Sequence, residues 1–572
     1  MVEESAAGTF FESCLAIVIR RKDVTAIYKK FELFKGEILF LNRMLSTIFC
    51  RTKRMKKNKK FENYGRVIEV KDTIVYAEGL FNVKAGDSVL FNQTGVRGLV
   101  LNLEKDRVGI VTFDPEFNIK PGAFVTSTGT FSVTADINLL GAITDSLGNV
   151  VVSSNIQNNI EDIEIKNKEI NIERKAPGVI TRKSVHEPML TGYTVVDSLF
   201  PIGRGQRELI IGDRQVGKTT LAIDTIINQR GYNNISDTKS KLFCVYVAVG
   251  QKKSSVLQIR ELLHKENALS YSIIVAATAA DQAAAQYMAP YTGTAISEFF
   301  RDQGLHALIV YDDLSKHAAA YRQLSLLLRR PPGREAFPGD IFYAHSRLLE
   351  RSCKLNDNYG GGSLTALPII ETQAGDLSAY IPTNVISITD GQIFLQKELF
   401  FKGQRPAVDV GNSVSRVGSK AQPYALKIAT GSLRFELAQY RELAIFSQFD
   451  NALDPVTKAT LRRGSILTEV LKQAPNTPLP LHKMVLLLQS ANSGLLASTI
   501  SEKISSGFNK YVKIFEKKLF EYVETENILA IFGPLFTYLD LMDKNDFSEE
   551  NHPFNYFLDL FIKELENSSF KS

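Results

Sequence analysis

A glycine-rich turn between an apolar run and an amphipathic segment constrains this chain more than any other feature. The turn occupies residues 212–220, with the sequence GDRQVGKTT, and it follows the apolar residues 209–211. It matches the pattern GxxxxGK[ST], in which glycines let successive backbone N–H groups point at one phosphate. The start of the following helix adds the positive end of its dipole. Because a strand and a helix are both predicted around the turn, we expect a nucleotide-binding site.

Each part of this phosphate-binding loop (P-loop) has a chemical role. Lys218 supplies a positive charge to the β- and γ-phosphates, and the Thr219 hydroxyl is a predicted Mg²⁺ ligand. Apolar side chains at 222, 223, 226 and 227 recur at helical spacing and predict a buried helix face. The expected ligand is a nucleotide with Mg²⁺. The loop residues predicted to bind it are Gly212, Asp213, Arg214, Gln215, Val216, Gly217, Lys218, Thr219 and Thr220.

A second apolar run ends in two acidic residues roughly 90 residues after the loop. Residues 305–311 are followed by Asp312 and Asp313. A carboxylate at the end of such a strand holds Mg²⁺ through its water shell, and we predict that Asp312 does so. Asp313 has an alternative role as the N-cap of the next helix.

The strand after the P-loop helix is predicted to end at Gln251. A hydrolytic P-loop motor needs a group there that activates water. A carboxamide cannot accept a proton, so general-base catalysis is lost at this position. Glutamine can instead orient water, as in small GTPases, although that route is slow without help. Gln251 therefore favours a site that binds and retains nucleotide.

Overall composition narrows the class of protein. A chain of 572 residues is too long for one core and predicts two to four domains. The net charge of +6 is small for this length and does not favour a nucleic-acid partner. The four cysteines form no CxxC pair, which argues against a zinc site or a disulfide framework. No apolar run approaches the roughly 18–20 residues of a membrane span, so we expect membrane association only through partners.

Four regions follow from the residue patterns. Residues 1–60 form a basic extension, which is either a targeting segment or a solvated helical segment that meets a partner. Short alternating strands over residues 61–138 predict a small closed β-barrel, favoured as an assembly scaffold over a nucleic-acid-binding surface. Alternating strands and helices over residues 139–422 predict an α/β nucleotide-binding domain, its sheet covered on both faces. Residues 423–572 predict an α-helical bundle.

Within these regions, individual elements are also predicted. The strands of the α/β domain are expected at residues 208–211, 243–249, 272–276, 307–311 and 385–388. Its helices are expected at residues 218–229, 255–264, 296–301 and 318–329. The later helices are expected at residues 433–449, 461–473, 481–496, 515–538 and 547–572. Residues 155–175, rich in Asn, Glu, Ile and Lys, predict a loop or linker.

The P-loop and several further motifs together resemble one family, the alpha subunit of the catalytic sector of the rotary (F-type) proton-transporting ATP synthase. The resemblance covers roughly residues 61–475. It rests on the motifs PIGRGQR at 201–207, YDDLSK at 311–316, RRPPGREAFPGD at 329–340, GGGSL at 360–364, IETQAGD at 370–376, YIPTNVISITDGQ at 380–392 and SVSRVGS at 413–419. It implies a barrel, a central RecA-like P-loop domain and a helical domain, in that order.

The same resemblance implies a hexamer of alternating alpha and beta subunits around a rotor shaft, with a peripheral stator subunit. Catalysis lies mainly on beta, while alpha binds ATP or ADP with Mg²⁺ without turnover. Arg416 matches the arginine that alpha sends into the neighbouring beta site, where it would stabilise phosphoryl charge. Residues 329–340 match the bearing loop around the shaft. Further residues at the nucleotide or the shared interface are Gln251, Ser387, Phe400, Arg405, Pro406 and Gln473.

The sequence departs from the family at one position of the predicted site, and two other functions are compatible with parts of the sequence. Where the family often has a second glutamine, this chain has Pro475, so the adenine surroundings are expected to differ. One rival is a hexameric motor ATPase of the export or termination-helicase type, which would need an acidic residue at position 251. Another is a free-standing nucleotide-binding regulator, which would not need Arg416. The basic extension and the Lys- and Asn-rich composition favour the mitochondrial inner membrane, matrix side, over a plastid or a bacterium.

Overall fold

The computed structural model describes residues 64–113, 119–153, 168–234, 238–444 and 454–492. The extension predicted over residues 1–60 and the helices predicted over 515–538 and 547–572 lie outside the described residues. Apart from Tyr64, all the described residues belong to one compact unit.

Six antiparallel strands close into a barrel, in the order β1-β2-β5-β4-β3-β6, which confirms the predicted barrel. Period-two alternation sorts their side chains between two cores. Val75 and Ile110 fill the barrel interior, whereas their neighbours Ile74 and Val111 join the larger core of the next domain. Because both faces are covered, β5 is buried along its whole length. The strands are β1 Tyr64–Lys71, β2 Ile74–Glu78, β3 Asp87–Phe91, β4 Arg97–Leu103, β5 Val108–Thr112 and β6 Phe124–Thr130.

Four short strands connect the barrel to the next domain: β7 Ser132–Ala135, β8 Ile143–Thr144, β9 Val150–Val152 and β10 Lys168–Asn171. The prediction of a loop over residues 155–175 is wrong at residues 168–171. These residues form β10, which pairs with β7 in antiparallel register. Only Ile170 of β10 is buried. One apolar residue among polar ones is too short a pattern to reveal a strand. Residues 155–167 of the predicted loop lie outside the described residues.

The centre of the molecule is a nine-stranded sheet in the order β19-β18-β13-β17-β16-β14-β15-β8-β9. Its inner pairs are parallel, and its edge pairs β18-β19 and β8-β9 are antiparallel. Buried apolar strands such as β14 are typical of a sheet with helices on both faces. The remaining strands are the separate pair β11 Pro188–Met189 and β12 Ile202–Gly203, then β13 Leu209–Gly212, β14 Leu242–Gln251, β15 Ser272–Thr278, β16 His306–Asp312, β17 Ser363–Glu371, β18 Gly391–Leu395 and β19 Val414–Ser415.

The described helices fall into two groups, one that alternates with the strands of the α/β domain and one that follows it along the chain. In the α/β domain they are α1 Thr194–Leu199, α2 Lys218–Asn228, α3 Arg230–Asn233, α4 Lys253–Lys265, α5 Ala283–Asp302, α6 Leu314–Leu327, α7 Ile341–Leu349, α8 Tyr380–Ile388 and α9 Lys397–Phe401. In the helical domain they are α10 Tyr424–Ala429, α11 Leu433–Ala444, α12 Pro455–Val470 and α13 Leu481–Asn492. The predicted order of barrel, α/β domain and helices is confirmed.

The strand predicted over residues 385–388 is wrong, because these residues form the end of α8. Ile381, Val385 and Ile388 are buried at helical spacing on one face of that helix. The strand in this part of the protein is β18, which begins three residues later. A further strand, β17, lies between β13 and β16 and was not predicted. Across the described helices, none combines the length and the hydropathy needed to span a bilayer.

Candidate nucleotide-binding site

A cavity of about 900 Å³ opens at the carboxyl ends of the central parallel strands. Its lining includes Lys218 after β13, Gln251 at the end of β14, Asp312 at the end of β16 and Glu371 at the end of β17. This edge is where open α/β sheets bind their ligands. The volume lies within the range of about 300–1,000 Å³ that is usual for small-molecule sites.

The P-loop connects β13 to α2 through two residues in the left-handed region. Gln215 has φ 64° and Gly217, the N-cap of α2, has φ 99°. A Cβ at Gly217 would meet nothing within 4 Å, so backbone conformation is what requires glycine there. At Gly212 the reason is packing, since a Cβ would lie 2.4 Å from the carbonyl oxygen of Leu395 in β18. The two motif glycines therefore serve different physical needs.

Lys218 is a buried cation in the lining of the cavity. Its ammonium donates hydrogen bonds to the carbonyl oxygen of Gly212 at 2.8 Å and to that of Asp213. Burial lowers the pKa of Lys218, and the carboxylates of Glu371 and Asp313 oppose that shift. The loop thus holds one buried positive charge among several carboxylates, an arrangement suited to a polyanionic ligand that carries Mg²⁺.

A series of hydrogen bonds connects the loop to the two neighbouring strand ends. The Thr219 hydroxyl donates to Asp312 Oδ2 at 2.6 Å, and the Tyr246 hydroxyl donates to the same oxygen at 2.8 Å. Gln251 Nε2 donates to the Tyr246 hydroxyl at 3.1 Å and to the Asp312 carbonyl oxygen at 3.2 Å. Burial and the adjacent Asp312 raise the pKa of Tyr246, which therefore remains a neutral donor.

The side-chain oxygens of Thr219 and Asp312 are suitable ligands for a magnesium ion. Mg²⁺ is usually held by one or two protein oxygens, with water and phosphate completing its octahedron. The Thr219 hydroxyl and the Asp312 carboxylate are already in contact, so both could serve one ion with little rearrangement. Among the described residues no group of three or more His, Cys, Asp or Glu side chains is arranged as a metal site. A bound Mg²⁺ would therefore take its remaining ligands from nucleotide and water.

Asp313 has a different role from its neighbour. Its carboxylate accepts the backbone N–H of Lys316 at 2.7 Å and caps α6, which agrees with the alternative predicted for it. Burial raises the pKa of Asp313, and the Lys316 ammonium, 3.3 Å away, opposes that shift. Of the two acidic residues, Asp312 is the one in contact with the P-loop.

One wall of the cavity is built from segments that are distant in sequence. Phe400, Arg405 and Pro406 follow β18, whereas Gln473 and Pro475 follow α12. The Arg405 guanidinium lies 4.8 Å from the centroid of the Phe400 ring. This wall carries aromatic and proline side chains, which suit a base, while the P-loop side suits phosphates. We refer to these five residues as the base wall.

The cavity brings together most of the residues predicted from sequence. It is lined by Arg214, Gln215, Val216, Gly217, Lys218, Thr219, Thr220, Gln251, Asp312, Phe400, Arg405, Pro406 and Gln473. Gly212 and Asp213 lie behind the lining. Asp213 Oδ1 accepts hydrogen bonds from the Thr372 hydroxyl and the Gly375 N–H, both at 2.7 Å, and so supports the segment after β17. Which of these residues contact nucleotide stays a prediction.

Sequence reasoning missed several residues of the cavity. Tyr193, Lys316 and Glu371 all line it. Glu371 carried a usable signal, because it is an acidic residue directly after an apolar run, as Asp312 is. Tyr193 gave none, because nothing in its local sequence places it beside α2.

Arg416 lies apart from this cavity, immediately after β19. Its side chain is exposed, while its backbone N–H donates to the Asp390 carbonyl oxygen at 2.9 Å. The Asp390 carboxylate accepts from Arg207 Nε at 3.0 Å and from Arg207 Nη2 at 2.8 Å. Arg416 thus extends from a well-anchored backbone towards the outside of the protein. Ser387, on α8, is also exposed.

The proline-rich segment at residues 329–340 is attached at both ends. Arg330 Nη2 donates to the carbonyl oxygen of Leu101 in the barrel at 2.6 Å. Near the other end, Asp340 Oδ2 accepts from the Tyr321 hydroxyl of α6 at 2.6 Å. The loop is therefore supported by both the barrel and the α/β domain.

Comparison with known protein families matches three successive regions of the protein. Residues 60–129 match the beta-barrel domain of the ATP synthase alpha/beta family, and residues 192–415 match its nucleotide-binding domain. Residues 422–530 match the C-terminal domain of the same alpha/beta family. The chain belongs to the ATP synthase alpha/beta family. Its three matched regions correspond to the barrel, the α/β domain with the cavity, and the helical domain.

Membership of the ATP synthase alpha/beta family accounts for the ligand and the setting of the site. The matched nucleotide-binding domain supports binding of ATP or ADP, and the cavity lies mostly within that domain. The protein is a catalytic-sector subunit that works with other subunits of an ATP synthase. The matched domains are common to alpha and beta subunits, so the choice between the two rests on individual residues.

Proposed function

We propose that this chain is the non-catalytic, alpha-type subunit of a proton-transporting ATP synthase. It alternates with beta-type subunits in a hexamer around the rotor shaft, is held by a peripheral stator subunit, and retains Mg-nucleotide in its own cavity. The complex makes ATP from ADP and phosphate by rotary catalysis. The subunit reaches the matrix face of the mitochondrial inner membrane only through the complex, a location supported by its basic N-terminal region. It binds no nucleic acid.

The observation that carries the non-catalytic assignment is the state of Gln251. Both N–H groups of its amide are used by the protein, one by the Tyr246 hydroxyl and one by the Asp312 carbonyl oxygen. The remaining amide oxygen can accept a hydrogen bond but cannot take a proton from water. The position from which a general base would act is therefore occupied by a fixed, neutral group.

The position of Arg416 supports the alternating arrangement. The residue is exposed and lies away from the protein's own cavity, on a backbone tied to Asp390. A guanidinium in that position is available to a neighbouring subunit, where it would stabilise charge on a transferring phosphoryl group. An arginine that served this subunit's own nucleotide would line its own cavity.

The isolated protein provides the test. Purified without a partner and mixed with radiolabelled Mg-ATP, it is expected to bind the nucleotide and to keep it intact through many minutes of incubation. Bound ATP and released phosphate are measured on the same samples after rapid filtration. The Lys218→Ala variant, whose binding should be weak, sets the background. Sustained phosphate release by the partner-free protein would contradict the proposal.

A further inference from the structure

The backbone that carries Arg416 is anchored by side chains as well as by its strand. β19 is only two residues long and lies at the edge of the described sheet, next to β18. Ser415 lies opposite Gly391 of β18, and the next N–H, that of Arg416, donates to the Asp390 carbonyl oxygen. So short an edge strand provides few backbone bonds, and a segment with few bonds has low local stability. The contacts of the Ser415 side chain therefore bear directly on the direction in which Arg416 leaves the sheet.

The Ser415 hydroxyl, one residue before Arg416, joins this edge strand to a segment more than 200 residues earlier in the chain. It donates to the carbonyl oxygen of Pro201 at 2.8 Å. It also accepts a hydrogen bond from Gln206 Nε2 at 3.1 Å. Pro201 and Gln206 both belong to the segment that leads into β13, the strand before the P-loop. The position of β19 therefore depends on this segment through one hydroxyl group.

Gln206 is fully buried, and its amide can adopt only one orientation. Its Nε2 donates to Ser415 Oγ and to Glu208 Oε2, the latter at 2.7 Å. Its Oε1 accepts the backbone N–H of Gly203 at 2.9 Å. Since the Gly203 N–H can only donate, the amide oxygen must face it, and the two amide N–H groups must then face Ser415 and Glu208. Gln206 is thus a rigid donor directed at the hydroxyl next to Arg416.

Glu208 supports this amide from beneath the edge of the sheet. A Cβ at Gly391 would lie 2.5 Å from Glu208 Oε2, so the carboxyl group packs directly against β18. Burial raises the pKa of Glu208 well above its usual range, and the nearby Asp390 adds to that shift. The hydrogen bond from Gln206 and the charge of Arg416 oppose it. As a neutral acid, Glu208 accepts from Gln206 without a negative charge that would draw the Arg416 guanidinium back into the protein.

We propose that Gln206 and Ser415 are positioning residues for Arg416, and that their hydrogen bond fixes the direction in which this arginine reaches the neighbouring subunit. The inference rests on the proposed function, because the site that Arg416 serves lies in that subunit. Neither Gln206 nor Ser415 lines the protein's own cavity, so their effect on that cavity should be small. A misplacement of about 1 Å in a reacting group can cost about 10²-fold in rate. Two residues that contact no nucleotide thus control the neighbour's rate.

The test is multisite ATP hydrolysis by the assembled catalytic sector that contains Ser415→Ala. Loss of the hydroxyl is expected to lower kcat by about tenfold to a hundredfold and to leave KM within about threefold, because the neighbour's own substrate contacts are intact. Ser415→Thr keeps the hydroxyl and should restore kcat to within about threefold of the unaltered complex. Ser419→Ala, at an exposed serine four residues later, is the matched control and should stay within about twofold. A normal kcat in Ser415→Ala, or equal losses in the alanine and threonine variants, would overturn the inference.

A double-mutant cycle separates positioning from a general loss of structure. If Ser415 acts only through the arginine, Ser415→Ala should change the residual rate of the Arg416→Ala complex by less than about twofold. An equal fractional loss in both backgrounds would mean a structural role and would overturn the inference. Gln206→Met, which removes both N–H donors at similar length, should repeat the loss of kcat; if this buried variant fails to assemble, the Ser415 variants decide. A normal rate in Arg416→Ala contradicts the proposed function, whereas a low rate there with a normal rate in Ser415→Ala defeats only this inference.

Discussion

Replacement of Arg416 with alanine should reduce multisite ATP hydrolysis by the assembled catalytic sector about a thousandfold or more. An arginine that stabilises the transferring phosphoryl group from a neighbouring subunit is worth roughly 10³–10⁵ in rate. The side chain is exposed, and its backbone bond to Asp390 does not depend on the side chain. The substitution should therefore preserve folding, assembly and nucleotide binding in this subunit's own cavity. Steady-state hydrolysis by the reconstituted complex, with bound nucleotide counted separately, measures both effects.

Two controls distinguish this role from a general charge effect. Lys420→Ala removes an exposed cation four residues away and should leave the rate within about twofold, because isolated surface charges contribute little. Arg416→Lys keeps the charge but loses the planar guanidinium, so it should recover only part of the rate. If the complex with Arg416→Ala hydrolysed ATP at close to the normal rate, the protein would not supply the arginine proposed here.

Lys218→Ala should weaken binding of Mg-ATP to the isolated protein by about a hundredfold. The ammonium is buried among carboxylates, of which Glu371 and Asp313 act most strongly on its pKa. Without it, the phosphates would meet those carboxylates without the buried positive charge that the P-loop holds. Removal of one member of a buried charge pair typically costs about 2–5 kcal/mol, and about 3 kcal/mol corresponds to the expected factor. Equilibrium dialysis or calorimetry with Mg-ATP measures the change.

Lys252→Ala is the matched control for this prediction. Lys252 lines the same cavity but is exposed at its mouth, so loss of its charge should weaken binding by less than about tenfold. The thermal stability of both variants is recorded without nucleotide, because Lys218 also bonds the carbonyl oxygens of the P-loop itself. Equal losses of affinity in the two variants would mean that Lys218 has no special role in holding phosphate.

The sequence predicts those parts of the site for which one short segment contains all the residues that the chemistry needs. The P-loop needs a strand, two glycines, a lysine and a helix, all within residues 209–228, and the structure contains β13, the loop and α2 there. Asp312 was predictable for the same reason, because an acidic residue after a buried strand is visible locally. The capping by Asp313 also follows from its immediate neighbours.

Sequence reasoning failed where neighbouring structure decides between two local patterns. β17 is a central strand, yet it contains Pro368, opposite Tyr311 of β16, and proline normally argues against a central strand. Missing β17 also meant missing Glu371 at its end. At residues 385–388 a short apolar run suits a strand or a buried helix equally. The burial of Ile381 with Val385 and Ile388 favours the helix, and that burial depends on the completed fold.

The base wall shows a further limit of sequence. Its residues come from two segments about 70 positions apart, after β18 and after α12, and only the resemblance grouped them. The resemblance predicts that Gln473 lies beside the base, but it does not predict the hydrogen bonds that the Gln473 amide makes. The structure directs that amide to Gly192 and Thr477, which depends on how the helical domain packs against α1. Residue identity alone contains no information on that orientation.

The central claim is that this protein is one of two unlike P-loop subunits in an alternating ring. Its most direct test is native mass spectrometry of the complex purified through a tag on this subunit, with each subunit identified and counted. The predicted result is equal numbers of this subunit and of a second P-loop subunit that carries an acidic residue at the position of Gln251. A ring built from this subunit alone, with nucleotide turnover, would contradict the claim.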